Sequence, residues 1–118
     1  MKILIVDDAL TIRNVIKATL QPHGFDIKEA TNGQQALEIA KKEKFNLIIS
    51  DINMPIMDGL EFLRKFRQFN KNTPFLILTT ESDLSKKSVA KSLGATGWIV
   101  KPFKALDLIN VVKRVTRS

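Results

Sequence analysis

Leu47-Ile48-Ile49-Ser50-Asp51-Ile52-Asn53-Met54-Pro55 is the stretch whose reading decides the fold. Its first three residues form an apolar run, which reads as a buried strand, and Asp51 falls where that strand leaves the core. Three other apolar runs end in a similar way: Ile3-Leu4-Ile5-Val6 before Asp7-Asp8, Leu76-Ile77-Leu78 before Thr79, and Trp98-Ile99-Val100 before Lys101. In an open α/β sheet, ligands bind in the crevice beyond the carboxyl ends of the strands. The four endings therefore predict one shared site, with Asp51 as its reactive centre.

Between the strands the apolar residues change to helical spacing. Ile12, Val15, Ile16 and Leu20 mark a helix over 9–20 with Asp8 near its start, and Pro22 and Gly24 stop it. Residues 25–30 alternate weakly, as at a sheet edge. In the turn Thr31-Asn32-Gly33, Asn32 or Thr31 caps a second helix, which carries Ala36, Leu37, Ile39 and Ala40 and closes near Lys44. A strand over 45–50 follows. Asp58-Gly59 opens a third helix bearing Leu60, Phe62, Leu63, Phe66 and Phe69, and a polar turn over 70–74 leads into a strand over 75–79.

Ser82 and Asp83 offer caps for a fourth helix over about 84–93, whose stripe of Leu84, Val89, Ala90 and Leu93 is thin. At roughly 25 cal/mol per Å² of apolar area, a thin stripe holds a helix weakly, which makes this the element predicted to move. After the strand over 98–100, Leu106, Leu108, Ile109, Val112 and Val115 define the last helix, with Val111 off the stripe. Strand and helix alternate five times. That pattern predicts an α/β fold: a doubly wound, five-stranded parallel sheet with helices on both faces.

The length of 118 residues suits a single domain over 1–118. With 44% hydrophobic and 26% charged residues, a packed core is expected rather than disorder. The absence of cysteine excludes disulfides, thiol catalysis and thiolate metal sites, and the single His23, read as a solvated loop residue, cannot build a histidine cluster. The net charge is +7, but the basic residues are dispersed, so no nucleic-acid partner is expected. No apolar run approaches the roughly 18 residues that would insert in a membrane. The first residues enter a strand pattern without a signal-peptide layout, which predicts a cytoplasmic location.

Asp7, Asp8 and Asp51 at neighbouring strand ends would put three carboxylates together, and such a cluster needs a cation. Without Cys or a His cluster, a hard divalent ion with oxygen ligands, Mg²⁺, fits best, and it leaves room for phosphoryl oxygens. Lys101 supplies positive charge for a transferring phosphoryl group and Thr79 an adjustable hydroxyl donor. Catalysis at such a site is mainly positioning and charge neutralisation.

Val6-Asp7-Asp8, Asp51-Ile52-Asn53-Met54-Pro55, Asp58-Gly59, Thr79-Thr80-Glu81 and the segment Gly94 to Phe103 together resemble the receiver domain of bacterial response regulators. More narrowly, the chain is similar to the single-domain chemotaxis regulators of the CheY type. The resemblance implies strand order 2-1-3-4-5 and a cis Lys101–Pro102 peptide. It makes Asp51 the phosphoacceptor that attacks a phosphohistidine of a sensor histidine kinase, CheA-like in chemotaxis. Asp8, Asp51 and the Asn53 backbone carbonyl would be direct Mg²⁺ ligands, with Asp7 acting through water. Lys101 would contact the phosphoryl group and Thr79 would swing toward it. Trp98, where the family has Tyr or Phe, would turn into the vacated space. Asn53 and Glu81 would modulate hydrolysis, Glu81 through Lys101 or a partner phosphatase, and the phosphoryl group would be lost spontaneously.

The implied function is a stand-alone switch rather than an enzyme, binding a downstream target such as the flagellar motor switch. The partner face would run from the thin fourth helix through Trp98 to Lys104, Val111 and Val115. Two alternatives stand beside it: a phosphorelay intermediate passing its phosphoryl group to a histidine phosphotransfer protein, and a magnesium-dependent aspartyl phosphohydrolase. A DNA-binding regulator is disfavoured because no residues follow the fifth helix.

Overall fold

The alternation of strand and helix forms, in a computed structural model that describes residues 1–117, five strands and five helices. The strands are β1 (Lys2–Val6), β2 (Asp26–Ala30), β3 (Leu47–Ser50), β4 (Phe75–Thr79) and β5 (Gly97–Val100). The helices are α1 (Leu10–Leu20), α2 (Gly33–Lys42), α3 (Gly59–Phe69), α4 (Leu84–Ser92) and α5 (Ala105–Thr116). Ser118, the last residue of the expected domain, lies outside the described residues. The sheet order is β2-β1-β3-β4-β5 and every neighbouring pair is parallel, as expected.

Side chains alternate across a strand, so each central strand feeds two cores. Leu4, Val6, Ile48, Phe75 and Ile77 pack with Ala36, Leu37 and Ala40 of α2 and Phe62, Leu63 and Phe66 of α3. On the other face Ile3, Ile5, Leu47, Ile49, Leu76 and Leu78 pack with Ile16 and Leu20 of α1 and Leu108 and Val112 of α5. β1, β3 and β4 are buried almost throughout, whereas β2 alternates and β5 is only partly covered. These two are the edges.

Several boundaries differ from the sequence reading, each for a local reason. α1 begins at Leu10 with Ala9 as its cap residue, and the carboxylate that serves Ala9 is that of Asp7, not Asp8. α2 ends at Lys42 because Glu43 is already extended. Phe45 is buried but lies before β3, and there Asn46 holds the chain to β1, its N–H donating to the Lys2 carbonyl at 2.8 Å. His23 is exposed and sits in a single 3-10 turn, Gln21–His23.

Caps fall where polar side chains were expected. Asn32 accepts from Gln35 N–H at 2.8 Å, and the Gln35 side chain reaches back to Thr31, a reciprocal cap. Asp58 and Asp83 cap α3 and α4. α4 is thinner still than its sequence suggested: Ala90 is its single buried residue, while Leu84 is 79% and Val89 47% exposed.

Candidate functional site

The pairing register brings the ends of the central strands level. Val6 lies opposite Ser50, and the Asp51 N–H donates to the Val6 carbonyl at 2.9 Å, so Asp7 and Asp51 leave the sheet side by side. The Lys101 N–H donates to the Thr79 carbonyl at 2.7 Å, which fixes the exit of β5 beside that of β4. Lys101–Pro102 is cis.

From there the Lys101 side chain reaches across the site. Its Nζ stands 2.9 Å from Asp7 Oδ2 and 3.1 Å from Asp51 Oδ2, with all three side chains nearly closed to solvent. Burial opposes the lysine charge, but the hydrogen bonds and charges of Asp7 and Asp51 outweigh it and raise the pKa above the ordinary lysine value. The second oxygens are held by backbone: Asp7 Oδ1 accepts from Ala9 N–H at 2.9 Å, and Asp51 Oδ1 from Ile52 N–H at 2.6 Å. Asp8 is exposed, and carboxylate oxygens of Asp7, Asp8 and Asp51 lie within 4.8 Å of one another. Three carboxylates thus face one ammonium. An all-oxygen set with excess negative charge fits a hard divalent cation such as Mg²⁺.

Thr79 is fully buried at the end of β4, and its Oγ1 accepts from the Glu81 N–H at 3.2 Å. Glu81 in turn accepts from Asp83 N–H and pairs with Lys86 Nζ, each at 3.1 Å. The Lys86 hydrogen bond leads in holding the Glu81 carboxyl below its usual range, the Asp83 N–H follows, and the Asn53 side chain adds a smaller effect. Glu81 and Asn53, the two residues expected to modulate hydrolysis, thus lie close enough for the Asn53 side chain to act on the Glu81 carboxyl. The cation on Glu81 is Lys86 and not Lys101, because Lys101 is already held by Asp7 and Asp51.

Trp98 is half-buried against the core on the α2–α3 side and lines a cleft of about 230 Å³ with Lys87, Ala90 and Lys91 of α4. The surface around it is composed differently from expectation. Val111 and Val115 are partly buried on the opposite core, and the exposed apolar residues of α4, β5 and α5 are Leu84, Val89, Val100 and Leu106.

Some supports of the site escaped the sequence reading. Gly59 lies so close to Asp51 that a Cβ there would meet the Asp51 carbonyl oxygen at 2.0 Å, and a Cβ at Gly33 would meet the Met57 carbonyl at 2.6 Å. Both glycines donate N–H bonds to the same loop, to Ile52 and Met57 respectively, and so clamp it. At the loop tip Met57 N–H bonds to the Pro55 carbonyl around Ile56, whose φ is +70°. A β-branched residue at positive φ is strained, and Ile56 is also 82% exposed. Arg13 donates to the Asp7 carbonyl at 2.6 Å and pairs with Glu29 of β2 at 2.9 Å. The Asp58-Gly59 pair was the one visible sign of the glycine clamp; Arg13 left none, since its partners depend on topology.

Comparison with known proteins agrees with this architecture. Residues 3–113 match the model of the response regulator receiver domain. The chain is 46% identical to the chemotaxis protein CheY4 of Vibrio cholerae, with a TM-score of 0.91 and 97% of both chains covered. It superposes with a TM-score of 0.91 on the receiver domain of the Pseudomonas aeruginosa sensor histidine kinase PA1611, 26% identical over 99% of this chain and 98% of that one, a structure with a magnesium ion in the active site cleft. The transcriptional regulatory protein SrrA of Staphylococcus aureus is 37% identical over 116 residues, which are 98% of this chain and 48% of that protein. The chain spans about half the length of the curated relatives it matches. Match, fold and strand-end site agree, and the chain belongs to the response regulator receiver domain family, the phosphoaccepting signalling modules of two-component systems.

Proposed function

We propose that residues 1–118 act as one receiver domain that accepts a phosphoryl group on Asp51 and switches the binding of a target protein. The observation that carries this reading is the Lys101 bridge, with Nζ at 2.9 Å from Asp7 and 3.1 Å from Asp51 in a nearly closed site. An Asp51 carboxylate oxygen attacks the phosphorus of a kinase phosphohistidine. The P–N bond breaks, and its electron pair goes to the imidazole, which takes up a proton. Lys101, then freed from Asp51, follows the charge onto a phosphoryl oxygen. Asp8, Asp51 and the Asn53 carbonyl, helped by Asp7 through water, would hold a magnesium ion, which would supply further charge neutralisation.

Thr79 reads the new group. Its hydroxyl accepts from Glu81 but donates to no described residue, so its proton is available to a phosphoryl oxygen. Turning toward that oxygen releases the Glu81 N–H, and Glu81 is tied through Asp83 and Lys86 to the first turn of α4, the least buried helix. Trp98, beside α4, reports the change on the partner face with Leu84, Val89 and Leu106. Asn53 and Glu81 tune hydrolysis.

The 46% identity to CheY4, with near-complete coverage of both chains, supports a chemotaxis role, with a CheA-like kinase, the flagellar motor switch as target, and a cytoplasmic setting. A second reading, control of transcription, is favoured by the curated relatives, which are transcriptional regulators. Binding of acetyl-phosphate-treated protein to a flagellar motor switch protein separates the two. The chemotaxis reading predicts binding that Asp51→Asn abolishes, and equal binding of both forms overturns it.

A further inference from the structure

Between α2 and α3, two clefts of about 500 and 490 Å³ share Phe69 and Lys41 in their walls; the first lies where the two helices end, and the second, where Leu37 and Phe69 are the apolar lining between Gln34, Lys65 and Gln68, runs back along α2. The floor of the larger cleft is apolar, built on Ala40, Phe45 and Phe66. Phe69 stands at the divide, 47% exposed, its ring edge-on to Phe66 at 5.3 Å. The rims carry Lys41, Lys42, Lys44 and Lys65; the first three form no ion pair among the described residues, and Lys65 interacts with Glu61, one turn earlier, through charge without a close contact. The acid within the larger cleft, Glu43, is already paired twice, with Lys2 at 2.7 Å and Lys28 at 2.9 Å. The face is therefore positively charged with an apolar centre.

We infer that this α2–α3 face docks an acidic, amphipathic helical segment of a protein partner, with two apolar side chains seated in the clefts flanking Phe69 and carboxylates over Lys41, Lys42, Lys44 and Lys65. Charge complementarity selects the occupant. A helix laid in a groove presents apolar residues three or four apart on one face, which suits two adjacent clefts. Nucleic acid fits less well, because the apolar floor offers nothing to phosphate and no arginine lines either cleft to grip it in two-point fashion. No residue lining either cleft belongs to the Asp51 site, so a partner held here leaves the Asp51 crevice open and serves as a tether.

The test uses a fluorescein-labelled, alanine-based helical peptide with leucines at i and i+4 and flanking glutamates, titrated against ¹⁵N-labelled protein. Expected are chemical-shift changes confined to residues around 37–45 and 65–70, and affinity that falls with salt. Replacing both leucines by serine, or introducing Lys41→Glu with Lys65→Glu, weakens binding by at least about tenfold, while phosphoryl incorporation from acetyl phosphate is unchanged. Lys41 is exposed and Lys65 only partly covered, and neither belongs to a core cluster, so both substitutions spare the packing that Phe69→Ser would disturb. Shift changes elsewhere, or equal binding of the serine peptide, overturn the proposal. Tighter binding of a single-stranded oligonucleotide or of phosphatidylglycerol vesicles to the same face also overturns it.

Discussion

Lys101 is the residue on which the resting site turns, since among the described residues it is the one cation between two buried carboxylates. Removing one partner of a buried ion pair leaves an uncompensated charge, at a cost of about 3–5 kcal/mol. Lys101→Met is therefore predicted to lower stability by that order in chelator. It is also predicted to bind Mg²⁺ more tightly than wild type, because an added cation now replaces the missing one, so that Mg²⁺ raises its melting temperature more than that of wild type. Calorimetry with and without Mg²⁺ checks both. Gly59 matters through what it lacks. An added Cβ would come within 2.0 Å of the Asp51 carbonyl oxygen, a contact with backbone that only movement of the Asp51 segment relieves. Gly59→Ala is predicted to cost about 2 kcal/mol or more and to slow phosphoryl incorporation from acetyl phosphate, read by intact mass, although the residue takes no part in the chemistry.

Between elements, α1 is stitched to β2 by Glu29, which takes Arg13 at 2.9 Å and Lys17 at 3.0 Å, while Arg13 also holds the Asp7 carbonyl. Burial works to raise the Glu29 pKa, but the hydrogen bonds from Lys17 and Arg13 and their charges prevail and lower it. A carboxyl lowered in the folded state stabilises the fold above its unfolded value, and that stabilisation disappears as the pH falls from about 4.5 through the folded value. Glu29→Gln is thus predicted to lose up to about 1 kcal/mol at neutral pH, the pair being partly exposed and screened. The difference from wild type should shrink as the pH falls below about 4.5, as urea titrations across pH would show; a difference that persists undiminished in acid would contradict the linkage. The α4 helix shows the reverse case of an element with few ties. Its caps and its end at Arg67, which donates twice to the Gly94 carbonyl, hold it where one buried alanine cannot.

For the molecule as a whole, the order of elements and the site at the strand ends were legible because both follow from simple periodicities. Continuous apolar runs mark strands covered on two faces, and polar residues that end them must gather at one edge. The Lys101 bridge was foreseeable as charge balance, though sequence spacing could not show that Lys101 takes Asp7 as well as Asp51 and so leaves Glu81 to Lys86. Of the glycine clamp only Asp58-Gly59 left a sign; the bond of Gly33 to Met57, the strained Ile56 turn and the Arg13 tie were hidden, since the first and last depend on residues brought together only by the crossovers and the turn has no local sequence signal. The clefts around Phe69 were hidden for the same reason, Phe69 having been read as part of the α3 core stripe. All of these features surround one claim, that Asp51 carries a phosphoryl group. Its most direct measurement is the intact mass of the protein incubated with acetyl phosphate and Mg²⁺. The predicted result is a gain of one phosphoryl group by wild type, lost again on standing, and no gain by Asp51→Asn; an unmodified wild type, or equal modification of the variant, would contradict it.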